Sequence, residues 1–204
     1  MKLVAEGLAA VRGERLVFRG VNFDLTGGQS LVLHGPNGSG KTTLLRVIAG
    51  LLGVLAGRLR VIDKAGAILT DEARDRVIHF IGHQDAIRPQ MRVLETLQFH
   101  AALLGASPKR IDRAIETWGL QQLIDLSGGL LSAGQRRRVS LARLSLQYRP
   151  IWLLDEPLVA IDTPTRARLN DVCSKHMEQG GLLVAASHEH FLGDRRTLTL
   201  GYGE

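Results

Sequence analysis

Gly35-Pro36-Asn37-Gly38-Ser39-Gly40-Lys41-Thr42 is the run with the clearest chemistry in this chain, and Thr43 completes it. The spacing is glycine, four residues, then Gly-Lys-Thr. Glycines let successive backbone N–H groups turn inward and approach phosphate oxygens closely. A lysine there neutralises β/γ-phosphate charge, and the following hydroxyl is suited to a Mg²⁺ ion. The apolar Leu31–Leu33 precedes the run, and Leu44, Leu45 and Ile48 follow it at helical spacing. Strand, loop and helix in that order are the context the pattern requires. They also place a helix N-terminus, with its positive dipole end, at the phosphate. A glycine-rich turn without function is the plain alternative, and this context speaks against it.

A second constellation is Ile151-Trp152-Leu153-Leu154-Asp155-Glu156. An apolar strand that ends in two acids holds carboxylates where α/β sheets bind ligands. Asp155 suits a Mg²⁺ ligand. Glu156, where the chain turns at the strand end, suits a general base for an attacking water. The third is Leu131-Ser132-Ala133-Gly134-Gln135. Ser132 is placed to cap a helix whose face includes Val139, Ala142 and Leu146. A capped helix start with small neighbours is an anion site in its own right.

These groups need a scaffold of strands and helices. Val21, Phe23 and Leu25 alternate with Asn22 and Asp24, as a half-buried strand does. Gly27-Gly28 turns into Ser30–His34, and Leu59 and Val61 alternate with Arg58 and Arg60. Residues 86–148 read as helices. Leu94, Leu97, Ala101 and Leu104 share one helical face. Ser107-Pro108 starts a helix with Ile111, Ile115 and Trp118 inward. Thr163-Pro164 starts another, which Gly180-Gly181 ends. The wholly apolar strands 151–154 and 182–186 suggest a parallel sheet covered on both faces.

Composition narrows the class. At 204 residues, with 45% apolar content, the chain is sized for one domain with a buried core. The longest uncharged apolar stretch, Val47–Gly57, is 11 residues, too short for a membrane-spanning helix. Glu6, Arg12, Glu14 and Arg15 interrupt any apolar run near the start, so no signal peptide and a cytoplasmic chain are expected. The net charge of +6 comes with scattered basic residues and only 4% aromatics, so no nucleic-acid partner is expected. Cys173 is the only cysteine, which excludes an internal disulfide, and its helical neighbours point to burial. His188 and His190 flank Glu189, and His83 precedes Gln84, but no further ligand at zinc spacing accompanies them.

Taken together, the phosphate loop, Gln84, Leu131–Gln135, Asp155-Glu156, Asp162 and His188 stand in the order found in ABC transporter nucleotide-binding domains, and the chain resembles that family over essentially its whole length. The resemblance implies an α/β fold of the P-loop NTPase type, with a small antiparallel β subdomain and a helical subdomain. It divides the chain into an ATP-binding core of about 1–85 and 149–204 and a helical part of about 86–148. It implies ATP and Mg²⁺ as cofactors, and a homodimer that sandwiches ATP.

Carried over position by position, Gln84 resembles the glutamine that contacts Mg²⁺ and the attacking water. Leu131, Ser132, Ala133, Gly134 and Gln135 resemble the signature that serves the ATP of the other subunit. Ala133 stands where glycine is usual, a difference of one methyl group. Asp162 resembles the aspartate at the dimer seam, and His188 the histidine that contacts γ-phosphate. The family stacks adenine on an aromatic residue near the start. Arg12 occupies the matching position, and a guanidinium plane can also stack on a base.

Within the family the chain is similar to the ATP-binding subunits of bacterial cytochrome c biogenesis. The similarity lies in Phe18–Phe23, Phe80–Gln84, Leu131–Leu144 and Glu156–Asp162. It implies an integral membrane permease partner, a peripheral place on the cytoplasmic face of the inner membrane, and ATP hydrolysis coupled to heme export or release of a heme-loaded chaperone. Service to another permease, for lipid, peptide or metal, is the alternative. An ABC ATPase acting on DNA or ribosomes fits less well, because the interval between loop and signature leaves no room for a long coiled coil and the chain holds one ATP domain.

Overall fold

The structure is a computed structural model that describes residues 1–193 and 196–201. The chain divides into two compact units. The first comprises Met1–Gly82, Arg149–Pro157 and the residues from Cys173 onward.

Its first layer is an antiparallel sheet. β1 (Lys2–Arg12) pairs with β2 (Arg15–Thr26) through a tight turn. Beyond Val21, β2 alternates buried and exposed residues, so Val21, Phe23 and Leu25 point inward. That is the alternation the sequence shows, and it follows from the pleat. The second layer begins with β3 (Ser30–His34), which leads through the glycine-rich loop into α1 (Lys41–Ile48). β4 (Ala56–Ile62) then returns to the antiparallel sheet, whose order is β2-β1-β4. The short α2 (Asp71–Val77) has no buried residue and is capped by Thr70, whose hydroxyl accepts from Ala73 N–H. β5 (Ile78–Ile81), β6 (Ile151–Asp155), β7 (Leu182–Ala186) and β8 (Thr197–Thr199) complete a parallel sheet of order β5-β6-β7-β3-β8.

Every residue of β6 and β7 is buried. A parallel sheet covered on both faces needs such continuous apolar strands. The core of this unit gathers Leu3 and Leu25 from the antiparallel sheet, Leu33, Leu153 and Val184 from the parallel one, and Leu44 and Ile48 from α1. Arg149 donates to the carbonyls of Asp75 and Ile78, at 2.7 and 2.6 Å, and so satisfies the end of α2.

The second unit comprises 83–148 and 158–172. Its helices are α3 (Val93–Leu104), α4 (Pro108–Trp118) and α5 (Ala133–Ala142), and α6 (Thr163–Glu178) begins in it. Ala101, Ala114 and Leu146 form one small buried cluster in it, and Trp118 donates from its ring N–H to Ser145 Oγ at 2.9 Å. Here the inward faces differ from the sequence reading. On α4, Ala114 and Trp118 are fully buried, while Ile111 and Ile115 are half-buried. On α3, Thr96 and His100 join Leu97 and Ala101 inside, and Leu94 and Leu104 sit at the margin.

No helix of the described residues is long and apolar enough to cross a membrane. Cys173 is buried, and burial pushes its thiol pKa up.

Candidate functional site

The glycine-rich loop is built so that it can exist only with glycine at certain positions. Gly35 has φ 140°, and a Cβ there would collide with the Leu200 carbonyl and Ser39 Oγ. Gly40 adopts φ 100° as the cap of α1, and its carbonyl accepts from Leu44 N–H at 2.8 Å. Ser39 of the loop and Lys41 and Thr43 of α1 are buried. Lys41 Nζ donates to the carbonyls of Gly35 (2.7 Å) and Pro36 (3.2 Å). The ammonium is therefore held across the loop.

Beside it, Thr42 Oγ1 lies 3.0 Å from each carboxylate oxygen of Asp155. Asp155 closes β6 and is 1% exposed. A threonine hydroxyl and a carboxylate in contact are hard oxygen donors. They fit Mg²⁺, which takes one or two protein oxygens and completes its shell with phosphate and water.

Glu156 follows with φ 48°, a left-handed conformation unusual for a side-chain-bearing residue. Such a residue costs on the order of 1–3 kcal/mol and persists only where its surroundings fix it. Here the fixing contact is the N–H of Glu156, which donates to Ala186 O at 2.9 Å. The strand end thus stays paired to β7 while the chain turns, and the two adjacent acids part. Glu156 Oε1 lies 3.4 Å from His188 Nε2. The same nitrogen is 2.8 Å from Asn37 Oδ1 and 3.3 Å from Lys41 Nζ. Asn37 Oδ1 and Glu156 Oε1 are acceptors and the Lys41 ammonium is a donor, so Nε2 stands among two acceptors and one donor.

The first unit thus brings together Lys41, Thr42, Asp155, Glu156, His188 and Asn37. Arg12 is exposed at the end of β1, opposite Arg15 across the turn. His83 and His190 are exposed, and among the described residues no group of three or more His, Cys, Asp or Glu side chains could hold a metal.

Gln84, 131–135 and Asp162 belong to the second unit. Gln84 lines an open cleft of about 780 Å³ with Asp85, Phe99, His100 and Arg136. Ser132 caps α5: its Oγ accepts from Gln135 N–H (3.2 Å), and its own N–H donates to Gln135 Oε1 (2.8 Å). Gln135 is therefore committed to the reciprocal cap. Gly134 is required by close approach, because a Cβ there would stand 2.6 Å from the Ala160 carbonyl. Ala133 is exposed. Asp162 caps α6, accepting from Thr165 N–H at 2.9 Å, and this bonding to Thr165 holds its carboxyl below the usual range.

Three features escaped the sequence reading. Asn37 touches His188, the Glu156 backbone is left-handed, and Arg137 is buried against Asp85 at 3.2 Å. For the third a signal existed. Helical spacing puts Arg137 on one side of α5 with the buried Ser140 and Leu141, and an arginine there needs an acidic partner.

Comparison with known proteins adds an independent line. The ABC transporter family model matches residues 18–159. The chain is 43% identical over 193 residues to the cytochrome c biogenesis ATP-binding export protein CcmA of Rhizobium meliloti (strain 1021), covering 93% of this chain and 92% of the relative. It is 45% identical to the protein of the same name from Rhodopseudomonas palustris (strain BisB5), with 92% of each covered. Among solved structures, a putative ABC transporter ATP-binding protein from Pyrococcus furiosus superposes with a TM-score of 0.83 at 27% identity, covering 98% of both chains. An ATP-binding cassette solved as a dimer with ADP and Pi gives a TM-score of 0.83 at 24% identity over 97% of this chain and 94% of the other, which bears on the fold.

Proposed function

The chain belongs to the ABC transporter family, within the branch of cytochrome c biogenesis ATP-binding export proteins, and from that premise we propose that it hydrolyses ATP to drive the membrane complex of cytochrome c maturation. The observation that carries the reading is the meeting of Lys41, Thr42, Asp155, Glu156 and His188 at one end of the parallel sheet.

Lys41 and the loop N–H groups bind and neutralise the phosphates. Thr42 and Asp155 would hold Mg²⁺, which would supply charge neutralisation for the phosphates. Glu156 takes a proton from the attacking water, and His188 donates from Nε2 to a γ-phosphate oxygen. The γ-phosphoryl group passes to that water, leaving ADP and inorganic phosphate. Gln84 orients the water and contributes to the Mg²⁺ site. Loop residues 35–43 form the cradle, and Arg12 stacks on adenine.

Ser132 and Gly134, within 131–135, serve the ATP held by a second copy of the chain, with Asp162 at the seam, so the active form is an ATP-bound homodimer. The dimer works on integral membrane permease subunits at the cytoplasmic face of the inner membrane, and it powers heme export or release of a heme-loaded chaperone. The 43–45% identity to relatives of one name favours this partner over a lipid, peptide or metal permease.

Deletion in the source organism followed by heme staining tests this reading. Loss of covalent c-type cytochromes, restored by the intact chain and not by Lys41→Ala, is the expected result. Normal c-type cytochromes in the deletion strain would overturn the assignment to cytochrome c maturation.

A further inference from the structure

Arg137 is 3% exposed, and its Nη1 lies 3.2 Å from Asp85 Oδ1. A guanidinium taken out of water is costly unless a carboxylate meets it, and losing one partner leaves the other charge stranded. The two residues are placed tellingly. Asp85 directly follows Gln84, and Arg137 lies in the second turn of α5, the helix that begins at Ser132.

A second tie joins the same two stretches. Gly128 N–H donates to Met91 O at 2.9 Å, and Gly129 N–H donates to Pro89 O at 3.0 Å. A Cβ at Gly128 would stand 2.6 Å from Ile87 Cγ2 and 2.7 Å from the Arg88 carbonyl. The chain after Gln84 is thus fastened at Asp85 and again at 87–91, each time to the stretch that leads into or forms the signature helix. Between these ties Ala86 is left-handed at φ 52°. A strained residue of this kind persists where both sides are pinned.

From the other side, Gly134 meets the Ala160 carbonyl, and Ala160 is itself left-handed at φ 62°. The start of α5 is therefore the junction at which the stretches bearing Gln84 and Asp162 both make contact.

We infer that Arg137 is a positioning residue for ATP hydrolysis: through Asp85 it locks the Gln84 stretch to the helix that presents Ser132 and Gly134, so the two move as one piece. The inference rests on the proposed roles of Gln84 and the signature. It adds that a change sensed by Gln84 at a subunit's own ATP is delivered to the residues serving the other ATP through this ion pair.

The test compares full-length wild type, Arg137→Met, Arg137→Lys, Asp85→Asn, Gln84→Ala and the Gln84→Ala/Arg137→Met double variant. Steady-state hydrolysis and binding of a fluorescent ATP analogue are measured on each. Arg137→Met is expected to lower kcat by up to about 10²-fold, the scale of a small misplacement of a catalytic group. Analogue affinity should hold, because Lys41, Thr42 and Asp155 are untouched. Arg137→Lys should recover part of the rate. The double variant should be no slower than Gln84→Ala alone, since Arg137 acts through Gln84.

A wild-type rate in Arg137→Met, or a double variant slowed by the product of the two single effects, would overturn the inference. If Arg137→Met does not fold, Asp85→Asn reads the same contact with little change in size. Wild type that hydrolyses no ATP would instead overturn the functional reading, a result separable from either.

Discussion

The hydroxyl of Thr42 stands 3.0 Å from both carboxylate oxygens of Asp155, so the first turn of α1 and the end of β6 meet at one point. Two oxygen donors from different elements are held there by buried backbone. Asp155→Asn keeps the shape and removes the charge. The Mg²⁺ concentration needed for half-maximal hydrolysis should rise by about tenfold or more, while Thr42→Ser, which keeps the hydroxyl, should remain near wild type. Titration of activity with Mg²⁺ measures both. An unchanged Mg²⁺ curve for Asp155→Asn would remove that carboxylate from the metal site.

Gly134 and its neighbour Ala133 should respond in opposite ways. A Cβ at Gly134 would lie 2.6 Å from the Ala160 carbonyl, so Gly134→Ala forces a shift. The expected cost is about 1–3 kcal/mol of stability, with hydrolysis reduced because Ser132 moves with the helix start. Ala133 is exposed, and Ala133→Gly should cost under about 1 kcal/mol and leave activity intact. Denaturant melts and hydrolysis assays on the two variants compare them directly. Equal behaviour would contradict the close approach.

Stability should fall in mild acid. His176 stacks on Trp152, with ring centroids 3.8 Å apart and planes 7° apart, and burial lowers its pKa from 6.5 to about 4. Burial, aided by the charge of Arg143, lowers His100 to about 4 as well. An unfolded chain binds these protons near 6.5, while the folded chain stays neutral down to about 4. The stability they contribute is full above the unfolded value and is lost as pH falls toward the folded one. Urea midpoints at neutral pH and at a pH between the two values should show this loss. His176→Phe, which keeps a ring against Trp152, should show less of it. An identical pH dependence in that variant would rule out His176 as a contributor.

How far the sequence revealed all this differs from residue to residue. Lys41, Thr42 and Asp155 were legible because a short motif fixes both residue type and local geometry. β2 was legible from Val21 onward because one face is wet and the other dry. β1 was obscured: its register shifts near Leu8 and Ala10 break the period of two. α2 has no buried residue and so carries no apolar stripe to read.

The meeting of Asn37 and His188 spans 151 positions and rests on the parallel sheet bringing β3 and β7 side by side. No local pattern encodes such a contact. The turn at Glu156 was foreseen as a turn, but its left-handed backbone depends on a hydrogen bond to another strand.

The proposed role of Glu156, activation of the water that attacks ATP, stands or falls on Glu156→Gln. The substitution keeps the size of the side chain and its place beside His188, and it removes the base. Hydrolysis and oligomeric state are measured together in ATP and Mg²⁺. Turnover should fall by about 10²- to 10⁴-fold, while ATP still binds and the chain accumulates as an ATP-bound dimer. Hydrolysis at the wild-type rate would contradict that role.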